Sequence, residues 1–531
     1  MTDSVDRPAS TGTGTDEKAG LEQFKAYRGL DASRLSKAEA RFERRRQTAG
    51  FVAGPAVALL LLCLPLDLPW NQQALAAVFA FTVIFWLTEA IPIPATALLS
   101  VALMVVLNVG SADEVLGSFG DTIVLLYLGA FFISQALLKH GLAERAAYTM
   151  LASRWVGDSV VRVIFAVGFV TCLFSAFVSN TVTVAMLLPT TLGVIVAISR
   201  QLGLADPTRL RIGTCLLLML AFSASIGGAL TPVGAPHQLI GRDLLESATD
   251  QRVSFFDWTA IAFVFAIPLL AALLLLLVRL NRPEATSIDG LAATMASKRD
   301  ACGPFSRGEL NTLIVFGLVV VGWLLPGIAG VVLGSDSEIY TTLADNLDEG
   351  IVAILGASLL FLLPTDRRER TFTIEWQDAV KTDWGTLLFI ICGAALGAQL
   401  TDTGLAERIG GDLGSTFGSA NVVLLTFLAV LLAILISEIG SNLAAVGIVV
   451  PIVIPIAAAA GVDPMLPGLA ATFGSSFGFM MPISTPQNAL VYATGAVPIT
   501  KMVRSGIVFD VLAAVFVTAS VLVMGTALGL A

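Results

Sequence analysis

Long apolar stretches, separated by short polar segments, follow one another along almost the whole chain. Eleven of them have about the length of one helical crossing of a bilayer, ~20 residues. They are residues 50–66, 72–90, 94–110, 121–139, 211–240, 257–280, 309–327, 347–364, 384–400, 466–495 and 505–529. Because hydrocarbon offers no partner to backbone N–H and C=O groups, such segments cross a membrane as α-helices. The pattern predicts an all-α integral membrane protein with eleven transmembrane helices.

Two further apolar stretches, 160–199 and 420–460, are too long for one crossing and carry polar residues at their middle. Each predicts a re-entrant hairpin that enters and leaves on the same side of the membrane. The spans 211–240 and 466–495 contain paired prolines together with several glycines. Because proline removes a backbone donor and clashes with the preceding turn, these two helices are expected to open within the membrane.

Composition and charge give this layout an orientation. Of 531 residues, 56% are hydrophobic and only 13% are charged. With the N-terminus in the cytoplasm, all but three of the 31 Lys and Arg residues fall on the inner side, as the positive-inside rule requires. The exceptions are Arg242, Arg252 and Arg408. The sequence therefore predicts a multi-pass protein of the plasma (inner) membrane with a cytoplasmic N-terminus and an external C-terminus.

Motifs of other protein classes are missing from the sequence. It contains no GxxxxGK[ST] phosphate loop and no HExxH signature. Two histidines and five isolated cysteines do not indicate a metal centre or a disulfide framework. We therefore expect no enzymatic activity, no organic cofactor and no nucleic-acid partner.

Three short motifs occur twice, in the same order along the chain. Gly-Leu-Ala-Glu-Arg stands at 141–145 and 404–408, Ser179-Asn180-Thr181 recurs as Ser441-Asn442-Leu443, and the segment 231–236 recurs loosely as 481–486. This order indicates an internal duplication. Five predicted spans separate equivalent points, so the two copies are expected to be inverted. Inverted repeats with opened helices are typical of secondary transporters, which bind substrate and ions near the middle of the membrane.

The polar residues at the middle of the first hairpin are suited to binding ions. Ser179, Asn180 and Thr181 precede an apolar helix, and these residue types are favourable N-caps. The turn brings helix-end carbonyl groups, which suit a hard cation such as sodium, next to N–H groups, which suit an anion. One turn could thus hold both partners of a symport reaction. The alternative is a cap that only satisfies the backbone.

Three further residues are weaker candidates. Glu438 lies three residues before Ser441 and could tune a cation site or only anchor the hairpin. His237 follows the first opened helix and could contact substrate, sense pH or serve a structural role. Glu89 is expected to cap or pin the inner end of a span.

The sequence resembles the divalent anion/sodium symporter (DASS) family, the sodium-coupled carriers of di- and tricarboxylates and sulfate. The resemblance covers 50–531 and is most specific at 85–96, at the Ser179-Asn180-Thr181 turn and at 481–495. It implies a homodimer in the lipid bilayer, with eleven spans and two re-entrant hairpins per protomer. It also implies an elevator mechanism, in which a transport domain carries the binding site across a static scaffold.

The resemblance implies a division of the chain and a set of site residues. Beside a polar tail (1–47), which its own composition predicts to be disordered, basic and cytoplasmic, the parts are a scaffold (48–156 and 308–415), a transport domain (157–282 and 416–531) and a cytoplasmic linker (283–307). The 141–145 and 404–408 segments would begin helices that link scaffold to transport domain. Sodium would be bound by Ser175, Ser179, Asn180 and Gly234, and by Ser437, Ser441, Asn442 and Ser484. The anionic substrate would contact Asn180, Thr181, Ala235, Asn442, Leu443, Thr485 and Pro486.

Several positions depart from the family pattern. Leu443 stands where a threonine is usual, and Ala235 where a hydroxyl is common. His237-Gln238 and Gln487 replace the usual Pro-Asn and Pro. The expected function is sodium-coupled symport of a divalent anion such as a C4-dicarboxylate. The alternatives are a carrier of sulfate or another anion, a sodium-independent exchanger, an anion channel, or the membrane subunit of an ATP-driven pump.

Overall fold

A computed structural model describes residues 37–204, 206–249, 251–334, 337–405, 408 and 421–530. Nearly all of the regular structure in this part of the chain is helical, which confirms the predicted all-α class. Two short antiparallel strands, β1 (Pro364–Asp366) and β2 (Thr371–Phe372), were not predicted. Most of the predicted disordered tail (1–36), and most of the segment that begins at 404–408 (406–407 and 409–420), lie outside the described residues.

The helices, in chain order, are α1 (Lys37–Cys63), α2 (Trp70–Thr88), α3 (Ile93–Val106), α4 (Ala112–Gly117), α5 (Thr122–Lys139), α6 (Leu142–Leu151), α7 (Val160–Ser175), α8 (Asn180–Gln201), α9 (Arg211–Leu230), α10 (Pro236–Thr249), α11 (Phe255–Asn281), α12 (Leu291–Ala301), α13 (Arg307–Leu333), α14 (Glu338–Asn346), α15 (Glu349–Leu362), α16 (Trp376–Ala379), α17 (Trp384–Asp402), α18 (Val422–Ile439), α19 (Asn442–Ala459), α20 (Met465–Gly474), α21 (Pro486–Ala493) and α22 (Ile499–Ala527). Short 3₁₀ helices cover Ser118–Gly120 and Pro207–Arg209.

By length and composition, eleven helices in the described part of the chain could cross a membrane. They are not all the predicted spans, because α8, α18 and α19 belong to the predicted hairpins. The predicted spans 94–110 and 347–364 are instead the 14-residue helices α3 and α15. Asn108, with a φ of 55°, closes the turn that follows α3, and the Asp348 side chain caps the start of α15. Hydropathy alone does not detect such boundaries.

Each predicted hairpin consists of two helices that meet at the predicted polar turn. In the first, α7 ends at Ser175 and α8 begins at Asn180. In the second, α18 ends at Ile439 and α19 begins at Asn442. The interruption therefore falls at the Ser-Asn motif in both copies.

The two interrupted spans also open where their prolines and glycines lie. The helix α9 ends at Leu230, and α10 begins at Pro236. The helix α20 ends at Gly474, and α21 begins at Pro486. Proline is well suited to the first turn of a helix, because its missing N–H needs no partner there. Each span is thus two half-helices joined by an irregular segment.

The two copies of the repeat pack in the same way. The hairpin helix α7 packs on the half-helix α9, and α9 on α11; in the second copy, α18 packs on α20, and α20 on α22. The two copies also contact each other. The half-helix α10 of the first copy packs on α19 and α20 of the second, whereas α21 of the second copy packs on α8 and α9 of the first. This swapped pattern brings the hairpins and the opened helices of both copies into one core. The apolar window of α9 is buried over its whole length.

The half-helix α10 connects this core to the remaining helices. It packs against α17, which in turn packs against α3, and α5 packs against α15. Arg242 on α10 pairs with Glu349 at the start of α15, with Nη1 and Oε2 2.7 Å apart. The ring of Phe255 stacks on Trp323 of α13 at 4.8 Å. The contacts of α10 with α17, of Arg242 with Glu349 and of Phe255 with Trp323 lie between the segments predicted as transport domain and as scaffold.

Glu89 closes the helix α2. Its backbone has a φ of 48°, a left-handed conformation at the C-cap of that helix. Its Oε2 atom lies 3.5 Å from Nη2 of Arg46 in α1. The residue therefore ends one helix and ties it to its neighbour, as the sequence predicted.

Candidate functional site

At both hairpin tips, a serine is hydrogen-bonded to the asparagine that begins the next helix. Ser175 Oγ donates to Asn180 Oδ1 at 2.7 Å. Ser437 Oγ donates to Asn442 Oδ1, also at 2.7 Å. All four residues are buried. Because an amide oxygen has two lone pairs, each Oδ1 atom retains one for a further donor or a cation.

Backbone oxygen atoms converge on Gly234 in the first opened helix. A Cβ atom built there would lie 2.8 Å from the carbonyl oxygen of Gly228, 2.9 Å from that of Ser175 and 3.0 Å from that of Ala176. A Cβ built at Gly228 would lie 2.1 Å from Asn180 Oδ1. Hard cations take such oxygen ligands. Three of the four residues predicted for the first sodium site, Ser175, Asn180 and Gly234, therefore take part in an oxygen-lined cradle, whose oxygen atoms are of the kind that sodium takes.

The two hairpin tips differ in how their departing helices are capped. Ser441 Oγ accepts a bond from Ala444 N at 3.2 Å and caps α19. Ser179 occupies the same position before α8, but its side chain makes no capping bond. The predicted capping role is therefore present in the second repeat and missing in the first.

In the second repeat, the Glu438 side chain holds the hairpin tip against the opened helix. Its Oε1 accepts a bond from Met480 N at 2.7 Å, and its Oε2 accepts one from Met481 N at 3.3 Å. Ser484 Oγ lies 2.9 Å from Oε2 and 3.0 Å from the Glu438 carbonyl oxygen. Two backbone N–H groups therefore donate to a carboxylate that is only 4% exposed, and the single proton of the Ser484 hydroxyl is shared between this carboxylate and the Glu438 carbonyl oxygen. This is the anchoring contact that the sequence left as one of two alternatives.

The first repeat makes the corresponding contact without a carboxylate. There the Thr231 hydroxyl donates to the carbonyl oxygen of Ala176, the residue equivalent to Glu438. In both copies, then, a hydroxyl of the opened helix lies within hydrogen-bond distance of a carbonyl oxygen at the hairpin tip. The carboxylate is an addition of the second copy.

Side chains at the start of each second half-helix bind a serine of the other copy, which lies within α9 or just after the end of α20. His237 Nε2 lies 2.8 Å from Ser476 Oγ, and Gln238 also donates to this oxygen. Gln487 Nε2 donates to Ser225 Oγ at 3.0 Å. His237 is buried, with 3% exposure. It therefore joins the two opened helices, which is the structural role among the alternatives from sequence.

The residues predicted for the substrate lie at or just before the starts of four helices. Thr181 and Leu443 are half-buried in the first turns of α8 and α19, and Leu443 packs against the apolar core. Ala235 is buried just before α10, and Thr485 caps α21, whose first residue is the exposed Pro486. Because α21 packs on α8 and α10 packs on α19, each opened helix meets the hairpin of the other copy. Helix N-termini present N–H groups and a positive dipole, which favour an anion.

Two buried residues of this region were not predicted from sequence. Asn488 Nδ2 donates to the carbonyl oxygen of Gly478 at 3.0 Å. This bond links α21 to the irregular segment of the second opened helix. Asp510 on α22 is 6% exposed. The sequence does contain a signal for Asp510, since it is an acidic residue within an apolar stretch. Asn488 follows the motif Pro486-Gln487, whose counterpart in the first copy is Pro236-His237.

Comparison with known proteins finds relatives along almost the whole chain. A sequence profile described as the sodium:sulfate symporter transmembrane region matches residues 48–530. The sodium-dependent dicarboxylate transporter SdcS of Staphylococcus aureus (strain NCTC 8325 / PS 47) is 28% identical over 477 residues, which are 89% of this chain and 90% of that protein. SdcS of strain USA300 matches with the same identity and coverage.

Among solved structures, the Alcanivorax borkumensis YdaH transporter has a similar fold. Its TM-score is 0.54 at 15% sequence identity, and the match covers 87% of this chain and 99% of that chain. The fold, the profile and the relatives agree on a multi-pass membrane transporter and not an enzyme. The chain therefore belongs to the sodium:sulfate symporter family, and the resemblance to the divalent anion/sodium symporters is confirmed.

Proposed function

We propose that this chain is a secondary active transporter that couples entry of a C4-dicarboxylate to entry of sodium. The observation that carries the proposal is the Ser–Asn hydrogen bond that recurs at both hairpin tips, beside the oxygen-lined cradle at Gly234. Duplicated, buried oxygen ligands next to helix N-termini suit a cation and an anion bound together. The SdcS relatives are named as sodium-dependent dicarboxylate transporters, which favours this substrate class.

Two sodium ions would be bound, one in each repeat. The first would be held by Ser175, Ser179, Asn180 and the backbone at Gly234. The second would be held by Ser437, Ser441, Asn442 and Ser484. Support comes from burial of most of these groups and from the amide lone pair that each Ser–Asn bond leaves available. Sodium would be co-transported cargo, and no organic cofactor would be required.

The anion would lie between the starts of the four helices. Its carboxylates would accept bonds from N–H groups at Asn180, Thr181, Asn442 and Leu443, with Ala235, Thr485 and Pro486 as the opposing wall. The Thr181 hydroxyl would add one side-chain donor, for which the second repeat has no equivalent. Because cation and anion share each turn, binding of one should raise the affinity for the other by a reciprocal factor.

Transport would follow an elevator mechanism. The hairpins, the opened helices, α11 and α22 would move as one transport domain, which agrees with the packing of α11 on α22 and the 2.6 Å bond from Ser520 Oγ to the Ile261 carbonyl oxygen. The helices α1–α3, α5, α13, α15 and α17 would form the scaffold. The protein would be a homodimer of the plasma membrane with its N-terminus in the cytoplasm. This orientation is supported by the positive-inside distribution of Lys and Arg.

Purified protein in proteoliposomes tests the proposal. Uptake of succinate, sulfate and citrate is measured with an inward sodium gradient, with equal sodium on both sides, and with potassium replacing sodium. We expect saturable succinate accumulation only with the inward sodium gradient. Accumulation of sulfate but not succinate would reject the C4-dicarboxylate assignment. Sodium-independent counterflow would indicate an exchanger, and flux that only follows voltage would indicate a channel.

A further inference from the structure

Arg242 is a buried charged residue that the proposed binding site does not use. It lies on the half-helix α10 and is 7% exposed. Its Nη1 donates to Glu349 Oε2 at 2.7 Å, and its Nη2 donates to Glu349 Oε1 at 3.2 Å. Its Nε donates to Glu246 Oε1 at 2.8 Å. The guanidinium group therefore binds one carboxylate through two parallel bonds, which is its strongest binding geometry, and a second carboxylate through one bond.

Both carboxylates also accept bonds from backbone N–H groups. Glu349 Oε1 accepts one from Phe255 N at 2.8 Å, and Glu246 Oε1 accepts one from Val253 N, also at 2.8 Å. Because Phe255 is the first residue of α11, the Glu349 carboxylate contacts both α10 and α11. These two helices belong to the proposed transport domain, whereas Glu349 begins α15 of the proposed scaffold. The hydrogen-bond network therefore crosses the boundary between the two domains.

The backbone of Glu349 is held by the proposed scaffold itself. Its carbonyl oxygen accepts a bond from Trp323 Nε1 of α13 at 3.0 Å. The preceding residue, Asp348, caps α15 through a bond from Gly350 N at 2.9 Å. Two scaffold helices thus fix the position of the Glu349 main chain, while its side chain binds the transport domain.

An apolar contact between the same two domains lies close to this network. Leu244, two residues after Arg242 on α10, packs on Gly397 of α17, where an added Cβ would lie 2.8 Å from Leu244 Cδ2. Apolar side chains can shift along a glycine surface at little cost, because new dispersion contacts replace the old ones. A hydrogen bond instead requires its two heavy atoms to be about 3 Å apart. The bonds between Arg242 and Glu349 therefore exist in one arrangement of the domains and break in others.

Glu246 allows these bonds to break without leaving a buried charge unpaired. It stands four residues after Arg242 on the same helix, so this ion pair moves with α10. Arg242 thus keeps a partner when α10 leaves α15, and the large cost of an unpaired buried charge is avoided. The Glu349 side chain is 20% exposed and lies at a helix N-terminus, where water and the helix dipole stabilise its negative charge.

The second copy of the repeat has neither this arginine nor the two glutamates. Aligning the starts of α10 and α21 places Tyr492 where the arginine stands and Ala496 where Glu246 stands. The helix α3, the equivalent of α15, begins with Ile93 in place of Glu349. In the proposed topology the copies are inverted, so the equivalent network would lie on the other side of the membrane. An ion pair on one side alone can favour one end conformation of the transport cycle over the other.

We propose that the ion pair between Arg242 and Glu349 is a latch between transport domain and scaffold, closed in the conformation of this structure and opened in every transport cycle. The inference rests on the proposed elevator function and adds to it the residue pair that sets the balance between its end conformations. Loss of the latch should shift that balance away from this conformation about tenfold, the size expected for a hydrogen bond between charged groups.

The rate of bridging by Hg²⁺ measures how often the protein adopts this conformation. Leu244→Cys and Gly397→Cys, in a background without other cysteines, place two thiols where α10 meets α17. In this parent protein, Glu349→Gln should slow the bridging about tenfold, because the amide replaces the carboxylate that binds Arg242. Glu349→Asp keeps the charge and should restore part of the rate. Glu246→Gln is the matched control, since it alters a partner of the same arginine within one domain, and it should bridge at the parent rate.

The outcomes separate the latch from the elevator on which it rests. Glu349→Gln should still catalyse sodium-driven succinate uptake before bridging, which shows that the variant is folded. Equal bridging rates in the parent and in Glu349→Gln would overturn the latch and leave the elevator intact. Equal slowing by Glu246→Gln would also overturn it, because the contact between the domains would then not be the cause. If the bridged parent still takes up succinate, the elevator fails, and the latch fails with it.

Discussion

The Ser437 hydroxyl donates to the Asn442 side-chain oxygen at 2.7 Å, across the turn between the two helices of the second hairpin. Ser175 and Asn180 make the same bond at the same distance in the first hairpin. In each pair the serine orients the amide, so that the remaining lone pair of Oδ1 has a fixed direction. This orientation preorganises one cation ligand per repeat, and it can be tested by substitution.

Asn180→Ala and Asn442→Ala should each weaken sodium binding and, through coupling, anion binding. One lost charge-assisted ligand is worth ~1.5–3 kcal/mol, so the sodium concentration for half-maximal uptake should rise about 10- to 100-fold. Sodium titrations of succinate uptake provide the measurement. Thr171→Val is the control, because the Thr171 hydroxyl donates to the Val167 carbonyl of its own helix and has no other hydrogen bond within the described residues. Normal sodium dependence in both asparagine variants would disprove the site assignment.

Gly234→Ala should close the first cradle. The added methyl group would lie 2.8–3.0 Å from three carbonyl oxygens, where backbone must move to admit it. We expect sodium to stimulate uptake no longer in this variant. The protein should remain folded and should elute from gel filtration at the same volume as wild type. Gly193→Ala on α8 is the matched control, because the nearest atom to its added Cβ is Lys298 Nζ at 4.0 Å. Equal sodium dependence in the two variants would argue against a cation at Gly234.

Linking α10 to α17 should stop transport if the two proposed domains slide past each other. A Cβ at Gly397 would lie 2.8 Å from Leu244 Cδ2, so cysteines at these positions can be bridged by Hg²⁺ in a background without other cysteines. Gly322 and Val352, both in the proposed scaffold, give a control pair with a Cβ–Cγ1 distance of 2.8 Å. Uptake should cease only for the first pair and return with a reductant. Undiminished uptake in the bridged first pair would contradict the elevator.

Local signals account for the features that sequence predicted well. The turns after Ser175 and Leu230 follow from N-cap residues and prolines, which act within a few positions of the chain. The bond between His237 and Ser476 joins residues 239 positions apart and depends on how the two copies pack. The carbonyl cradle at Gly234 likewise arises only when the hairpin tip meets the opened helix. Such contacts leave no periodic pattern in the sequence.

The orientation in the membrane can be tested with two native cysteines. Cys302 follows α12 and is partly exposed, and Cys63 is exposed at the end of α1. The proposed orientation places Cys302 on the cytoplasmic side of the membrane and Cys63 on the outer side. In variants that keep only one of them, an impermeant thiol reagent applied to intact cells should label Cys63 and leave Cys302 unmodified. Opening the cells should make Cys302 reactive. Labelling of Cys302 in intact cells would reverse the proposed topology.

Leu443 is the position where the two hairpin tips differ most in what they offer an anion. Thr181 can donate a hydroxyl bond, whereas Leu443 is apolar, half-buried and packed against the core. The proposed site is therefore asymmetric, with a side-chain donor at the first hairpin tip only. It should favour an anion with one compact charged end and bind citrate poorly. Leu443→Thr would restore the second donor, and one hydrogen bond to a charged group is worth ~1.5–3 kcal/mol at most.

Succinate affinity should therefore rise up to about 10- to 100-fold in Leu443→Thr, because its two equal carboxylates would then meet two equal donors. Sulfate, which has one compact charged centre, should gain less. Binding curves for succinate, sulfate and citrate on wild type and Leu443→Thr provide the measurement, with Leu443→Val as the control for the change in side-chain shape. If all three affinities stay the same, Leu443 points away from the anion, and the backbone N–H groups alone hold it.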